Sequence, residues 1–209
     1  MKKKVILSDF DGTITTTNVL DSLYEEFGGL GFDQHMERWR RGEISTMQEI
    51  ELIFSTIKAT RREMEAFLRT VKLDPGFRSL LGHCRKQDIP FAVVSDGLRW
   101  YIDYILNFHD VGVPDVFAGD ISFTPDGFRF SFPWYDSAYP LRSTAKPLIV
   151  KDFQRRGYSV IFIGDGLTDV EAAEVADVIY AKDVLLFEAE ERGIEVRKFE
   201  NMHDIYRDL

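Results

Sequence analysis

Two acidic residues follow the first apolar segment of the chain at a spacing that suits a reactive site. Residues 5–7 predict a β-strand, and Asp9 and Asp11 stand two positions apart just beyond its end. Because alternate side chains of a strand share a side, both carboxylates can face one pocket while Phe10 turns towards the core. Gly12 then permits a tight turn. Two carboxylates this close repel each other, so we expect that one is protonated or that a cation holds both.

Four short apolar runs predict the sheet that positions these acids. They cover residues 5–7, 91–94, 160–163 and 178–181, and helical patterns mostly separate them. Runs that are apolar on both faces are typical of a parallel sheet with helices on both sides, a Rossmann-like α/β fold. Polar turns follow the first three runs, at residues 9–12, 95–97 and 164–166. Ligands bind at the carboxyl ends of such strands, so we expect these turns to form one site. A β-hairpin is predicted over residues 121–132.

The segment between the first two strands has the periodicity of helices. Apolar helical faces occupy residues 19–27, 47–57 and 64–71. Two capping boxes begin at Ser45 and Thr60, and a Pro-Gly breaker closes the segment. We therefore predict a helical cap domain over residues 16–72, inserted into a core domain of residues 1–15 and 73–209.

Composition narrows the class of protein. The 209 residues are 44% hydrophobic, enough for one α/β domain with a small insertion. A net charge of −9 argues against binding to nucleic acid or to an anionic membrane surface, since both require positive charge. Cys84 is the only cysteine, which excludes an internal disulfide, and it is predicted to be a small core residue on a helix. We find no signal peptide or membrane-spanning segment and expect a soluble, cytoplasmic protein.

Four motifs together resemble those of the haloacid dehalogenase (HAD) superfamily of phosphohydrolases. They are residues 9–13 (Asp-Phe-Asp-Gly-Thr), Ser95 after the second strand, Lys146 at a helix start, and residues 164–169 (Gly-Asp-Gly-Leu-Thr-Asp). Their order and spacing span most of the chain, so the match is more specific than any single motif. The resemblance implies an enzyme that hydrolyses phosphate monoesters on a Rossmann-like parallel sheet.

The resemblance also implies roles for the acidic residues. Asp9 would attack phosphorus and form an aspartyl phosphate, and Asp11 would protonate the leaving group and later activate water. Repulsion between a carboxylate and a phosphate calls for a cation, and Mg²⁺ fits as a hard ion with oxygen ligands. Its expected ligands are Asp9, the backbone carbonyl of Asp11, and Asp165. Asp169 would hold a metal-bound water or Lys146.

The resemblance also implies which residues bind the phosphate. Ser95, with the backbone amide of Gly97 or Asp96, and Thr13 would bind phosphate oxygens. Lys146 would neutralise both the nucleophile and the phosphoryl charge. Lys151 is a competing lysine on the same predicted helix, but Lys146 opens that helix just before Pro147, nearest the strand ends.

Each site residue also has an ordinary structural interpretation. For several other candidate residues we expect a structural role rather than a functional one. Asp165 and Asp169 could simply cap a helix, although the motif at Asp9 argues otherwise. One arginine of the Arg38-Trp39-Arg40-Arg41 cluster could reach a substrate, but a solvated helix face is expected there. Trp134 and Tyr135 could contact substrate. The remaining candidates are predicted to be ordinary core or surface residues: His35, His83, His109, His203, Trp100, Tyr101 and Tyr104.

Within the superfamily, helices inserted directly after the first motif are the arrangement of phosphoserine-phosphatase-like members. Residues 145–149, 163–173 and 181–186 resemble the methionine-salvage phosphatases that act on 2-hydroxy-3-keto-5-methylthiopentenyl-1-phosphate. The chain departs from them at Asp96, where glycine is usual, and at Gly166, where serine is common. A cysteine-rich stretch before the Lys motif is also missing. A small phosphorylated metabolite is therefore the implied substrate. The alternatives are hydrolysis of phosphoserine and phosphotransfer to an alcohol. A homodimer is left open.

Overall fold

The computed structural model describes residues 2–29, 31–112 and 114–209. Seven strands form one sheet in the order β4-β3-β2-β1-β5-β6-β7. The strands are β1 (Lys3–Ser8), β2 (Phe91–Leu98), β3 (Asp115–Thr124), β4 (Gly127–Ser131), β5 (Tyr158–Gly164), β6 (Val178–Ala181) and β7 (Arg197–Lys198). All neighbours are parallel except β3 and β4. The predicted Rossmann-like α/β class is therefore confirmed.

The helices lie on both faces of this sheet. Their bounds are α1 (Val19–Phe27), α2 (Phe32–Arg40), α3 (Thr46–Thr56), α4 (Arg61–Leu68), α5 (Phe77–Lys86), α6 (Arg99–Phe108), α7 (Lys146–Arg155), α8 (Val170–Ala173), α9 (Asp183–Arg192) and α10 (Met202–Asp208). A 3₁₀ turn, Leu167–Asp169, precedes α8. None of the helices in the described ranges is long and apolar enough to cross a membrane.

The central strand β1 shows why these elements pack as layers. Ile6 lies in the cluster that includes α5 and α10, whereas Val5 and Leu7 face the opposite cluster, which includes α7. All three side chains are fully buried. Because β1 has hydrophobic partners on both faces, its carboxyl end is held rigidly at the middle of the sheet.

Helices α1 to α4 occupy the segment predicted as a cap. Its two ends pair with each other: the Thr16 amide donates to Lys72 O at 3.0 Å, and Thr15 bridges Leu73. Both predicted capping boxes are present, at Ser45 before α3 and at Thr60 before α4. Their side chains satisfy amides that a helix start would otherwise leave free. The status of residues 16–72 as a separate domain stays a prediction.

The predicted hairpin is present but belongs to a longer strand. Residues 120–124 of β3 pair antiparallel with β4, whereas residues 115–119 run parallel beside β2. Phe132 lies just beyond β4. The short edge strand β7 was not predicted, because its two exposed residues carry no apolar signal. Cys84 is buried on α5, as predicted.

Candidate active site

The turn after β1 brings the first acids against the turn after β5. Asp9 follows β1 directly and is 5% exposed. Gly12 has φ +78°, a left-handed conformation that favours glycine, and a Cβ here would overlap the Asp165 carboxylate. Thr13 donates its hydroxyl to Asp165 Oδ1, so its side chain orients this acid. The glycine turn therefore lets two strand ends approach closely.

Lys146 joins two of the predicted acids. Its Nζ lies 2.9 Å from Asp9 Oδ1 and 2.7 Å from Asp169 Oδ1, and its side chain is 1% exposed. Burial by itself lowers the pKa of this ammonium, but the charges of Asp169 and Asp9 raise it above the usual lysine value. Lys146 is therefore a fixed positive charge beside Asp9. Lys151, the competing lysine, is exposed.

Asp169 holds both Lys146 and the loop after β5. Its Oδ2 accepts hydrogen bonds from the amides of Asp165 at 3.1 Å and Gly166 at 3.0 Å, while Oδ1 accepts from Lys146. Both carboxylate oxygens thus have protein partners. This geometry matches the expected contact with Lys146.

Asp11 is held by donors from three elements. Its Oδ1 accepts from the Val19 amide at 3.0 Å, and its Oδ2 accepts from the Tyr101 hydroxyl at 2.7 Å and from Ser95 Oγ at 3.3 Å. Burial nevertheless raises the pKa of Asp11, and the three hydrogen bonds offset only part of that effect. The carboxyl is therefore suited to carry a proton.

Tyr101 is a site residue that sequence reasoning assigned to the core. Its ring is fully buried near Phe10, with centroids 6.2 Å apart, but its hydroxyl reaches Asp11. A Cβ on Gly97 would overlap that hydroxyl, so glycine is required there. No local pattern distinguishes such a tyrosine from an ordinary core residue, because its partner lies 90 positions away.

Asp96 fastens the turn after β2 to the loop before α7. Its Oδ1 accepts from the Ser143 amide at 2.8 Å, the Ser143 hydroxyl at 2.7 Å and the Thr144 amide at 2.8 Å. Lys146 follows two residues later, and its amide donates to Thr144 O at 2.8 Å. The Asp96 carboxylate therefore helps to fix the start of the lysine helix.

Asp9, Asp165 and Asp169 form a group that could hold a metal ion, with one carboxylate oxygen from each lying within 4.8 Å of the others. Burial raises the pKa of Asp9, as do the charges of Asp169, Asp165 and Asp11, while Lys146 lowers it. The pKa of Asp165 is likewise raised, first by burial and then by Asp169. Lys146, which pairs with Asp9 and Asp169, does not balance the charge of three acids, and oxygen donors suit a hard divalent cation. The residues present therefore fit a metal site.

A cavity of about 510 Å³ opens over these residues. On the sheet side it is lined by Asp9, Asp11, Ser95, Asp96, Gly97, Tyr101 and Asp165. On the side of α1 to α3 it is lined by Asn18, Leu20, Asp21, Met36, Trp39, Arg40, Thr46 and Glu49. Trp39 and Arg40, assigned to a solvated face from the sequence, thus reach the cavity. Neither Trp134 nor Tyr135 is among the described residues that line it.

Comparison with known proteins agrees with this fold. Residues 6–174 match the family described as haloacid dehalogenase-like hydrolases. The match covers most of the chain and includes the strand ends that carry the acids and the start of α7, which carries the lysine. The chain belongs to the haloacid dehalogenase-like hydrolase family and is a phosphatase of that family, as the resemblance implied.

The relatives found by sequence and by structure carry different names. A 2-hydroxy-3-keto-5-methylthiopentenyl-1-phosphate phosphatase of Bacillus pumilus is 29% identical over 98% of this chain and 90% of its own length. The bifunctional enzyme MtnB/MtnX of Bacillus licheniformis is 30% identical over the whole chain, which spans 50% of that protein. A solved phospho-aspartyl intermediate analogue of phosphoserine phosphatase has a TM-score of 0.76 at 19% identity and covers both chains fully. At that identity the structural likeness shows the fold alone.

Proposed function

We propose that this protein is a Mg²⁺-dependent phosphomonoesterase that hydrolyses a small phosphorylated metabolite through an aspartyl phosphate on Asp9. The observation that carries the proposal is the convergence of Asp9, Lys146, Asp165 and Asp169 beneath one cavity. A phosphoryl group carries negative charge throughout its transfer, so the enzyme must supply positioning and neutralisation. This arrangement supports both.

Asp9 is the proposed nucleophile because its carboxylate lines the cavity and is fixed by Lys146. Attack by one Asp9 oxygen on phosphorus forms the O–P bond as the ester O–P bond breaks. The ammonium of Lys146 favours the ionised form of Asp9 and offsets the charge of the phosphoryl oxygens. Asp169 positions that ammonium from the other side.

Asp11 is the proposed acid and base. Its raised pKa favours a protonated carboxyl that donates its proton to the departing ester oxygen. The resulting carboxylate then accepts a proton from the water that attacks the aspartyl phosphate. Tyr101 and the Val19 amide hold the carboxyl in place for both steps.

Mg²⁺ is the metal that we propose for the acidic group. Asp9, Asp165 and the backbone carbonyl of Asp11 would hold it, with Asp169 acting through Lys146 or a water molecule. When bound, the ion supplies positive charge between the nucleophile and the phosphate.

Phosphate oxygens are proposed to bind the Ser95 hydroxyl and the backbone amide of Gly97 or Asp96. Ser95 Oγ accepts a hydrogen bond from the Gly97 amide at 2.9 Å, so both groups already lie together at the cavity wall. Thr13 was also predicted to bind phosphate, but it is fully buried and its hydroxyl donates to Asp165. We propose that it supports this region through that acid.

The methionine-salvage ester is the proposed substrate, because relatives named for it align along nearly the whole chain. The apolar side chains of Leu20, Met36 and Trp39 on the cavity wall suit its methylthio tail. Residues 16–72 would then act as a cap that selects the leaving group. Homodimer formation and a cytoplasmic location stay predictions.

A phosphate-release screen tests this function. We expect the methionine-salvage ester to have the highest kcat/KM among a panel that includes phosphoserine, sugar phosphates and pyridoxal phosphate. A large preference for phosphoserine would contradict the proposed substrate, and phosphate transfer to added alcohols would indicate a phosphotransferase.

Metal removal in the same assay tests the cofactor. We expect EDTA to abolish phosphate release and Mg²⁺ to restore it, because uncompensated acids would otherwise repel the substrate. Mg²⁺ should also raise the thermal midpoint, since it binds the folded acids. Full activity after exhaustive chelation would exclude a metal requirement.

A further inference from the structure

Glu49 is a buried residue whose side chain faces the candidate active-site cavity. It lies on α3, lines the cavity and is 5% exposed. Its carboxyl makes no hydrogen bond or ion pair with any residue in the described ranges. The carboxyl is therefore available to a ligand that enters the cavity.

The surroundings of Glu49 favour its neutral form. Asp21 of α1 and Asp96 of β2 face it with negative charge, and Arg40 of α2 is the opposing positive charge. Burial raises the pKa of Glu49 to about 8, helped by Asp21 and Asp96, and Arg40 offsets only part of this shift. Arg40 is itself exposed and forms no ion pair with Glu49. At neutral pH the side chain is therefore an uncharged acid with a proton to donate.

The backbone that carries Glu49 is fixed. The capping box of Ser45 and Gln48 begins α3, and the Glu49 amide donates to Ser45 O at 2.9 Å. Thr46, one turn earlier on the same helix, accepts from Trp39 Nε1 at 3.0 Å and donates to Leu141 O at 3.1 Å. Glu49 is therefore presented at a defined point of the cavity wall.

We propose that Glu49, as a neutral carboxylic acid, donates a hydrogen bond to a keto or hydroxyl oxygen of an uncharged leaving group. This inference rests on the proposed phosphomonoesterase function and adds the class of leaving group. A neutral acid avoids repulsion with the phosphate of the substrate, whereas a carboxylate would add to it. Ionisation of Glu49 removes the donor, so recognition of the oxygen is lost as the pH rises past the pKa.

Propyl phosphate and two esters that each differ from it in one group test the proposal. Hydroxyacetone phosphate carries a ketone at C2, and O-phosphoethanolamine carries an ammonium in place of the terminal methyl. We define the keto preference as kcat/KM for hydroxyacetone phosphate divided by kcat/KM for propyl phosphate. In the wild-type enzyme the keto preference should fall about fivefold to tenfold as the pH rises through 8, because ionised Glu49 no longer donates its hydrogen bond. Glu49→Gln, whose amide still donates, should keep the preference at every pH. Glu49→Leu should lack it throughout.

Glu51→Gln is the matched control, because Glu51 lies on the same helix but is exposed. An unchanged keto preference in Glu49→Leu would overturn the inference. So would a selectivity for phosphoethanolamine that grows with pH and disappears in Glu49→Gln, because a carboxylate would then be binding a cation. Absence of phosphate release from every ester would instead contradict the proposed function.

Stability provides a readout that does not depend on turnover. Between about pH 4.3, where an unfolded glutamate titrates, and about 8, folded Glu49 holds a proton that the unfolded chain has released. The free energy of unfolding contributed by Glu49 therefore falls as pH rises across this window. Glu49→Gln should become progressively more stable relative to wild type over the same range. A pH-independent difference would contradict a neutral Glu49.

Discussion

Asp9→Asn is expected to reduce phosphate release by on the order of 10⁴-fold or more while leaving the fold intact. The amide has the size of the carboxylate but cannot form the phosphoryl ester on which both steps depend. Asp9 is buried at the end of β1, and its carboxylate contacts Lys146 at 2.9 Å. The measurement is kcat/KM with the best ester of the screen, together with far-UV circular dichroism.

The control for this variant is Asp115→Asn, which changes an exposed aspartate at the start of β3. It loses the same charge at a distance from the cavity and should have wild-type activity. Near-wild-type turnover by Asp9→Asn would eliminate Asp9 as the nucleophile.

Lys146→Met should lower both activity and stability. Loss of the ammonium leaves Asp9 and Asp169 buried without their shared positive charge, and breaking a buried pair in this way costs about 3 to 5 kcal/mol of unfolding free energy. The same change removes a charge beside the phosphoryl group, so kcat should fall about 10²- to 10³-fold. Denaturant unfolding and phosphate release measure the two effects.

Lys151→Met is the matched control for Lys146→Met. Lys151 stands on the same helix, α7, but is exposed, so its loss should change neither quantity appreciably. If Lys151→Met were the inactive variant, the choice between the two lysines would be wrong.

Features close together in the sequence were predictable. The apolar runs located β1, β2, β5 and β6, and the capping boxes located the starts of α3 and α4. Parallel pairing then placed the turns after β1, β2 and β5 at one edge of the sheet. The choice of Lys146 followed from the same logic, because the first residue of α7 lies nearest that edge.

Contacts between distant segments were not predictable from local pattern. Tyr101 has the spacing of a core residue, and only the fold brings its hydroxyl on α6 to Asp11, 90 positions away. Asp96 was expected to contribute a backbone amide, but its side chain also binds Ser143, 47 positions away. Glu49 has no distinguishing neighbours in sequence. Its environment arises from how α3 sits over the sheet.

The most direct measurement of the central claim is the capture of the phosphorylated enzyme. In Asp11→Asn the water that cleaves an aspartyl phosphate lacks its base, whereas 4-nitrophenol leaves phosphorus without needing an acid. After mixing this variant with 4-nitrophenyl phosphate and Mg²⁺, we predict one nitrophenolate released rapidly per enzyme and one phosphoryl group on the peptide that contains Asp9. The Asp9→Asn, Asp11→Asn double variant should show neither. Nitrophenolate release by Asp11→Asn with no phosphoryl group on Asp9 at any quench time would contradict the aspartyl-phosphate mechanism.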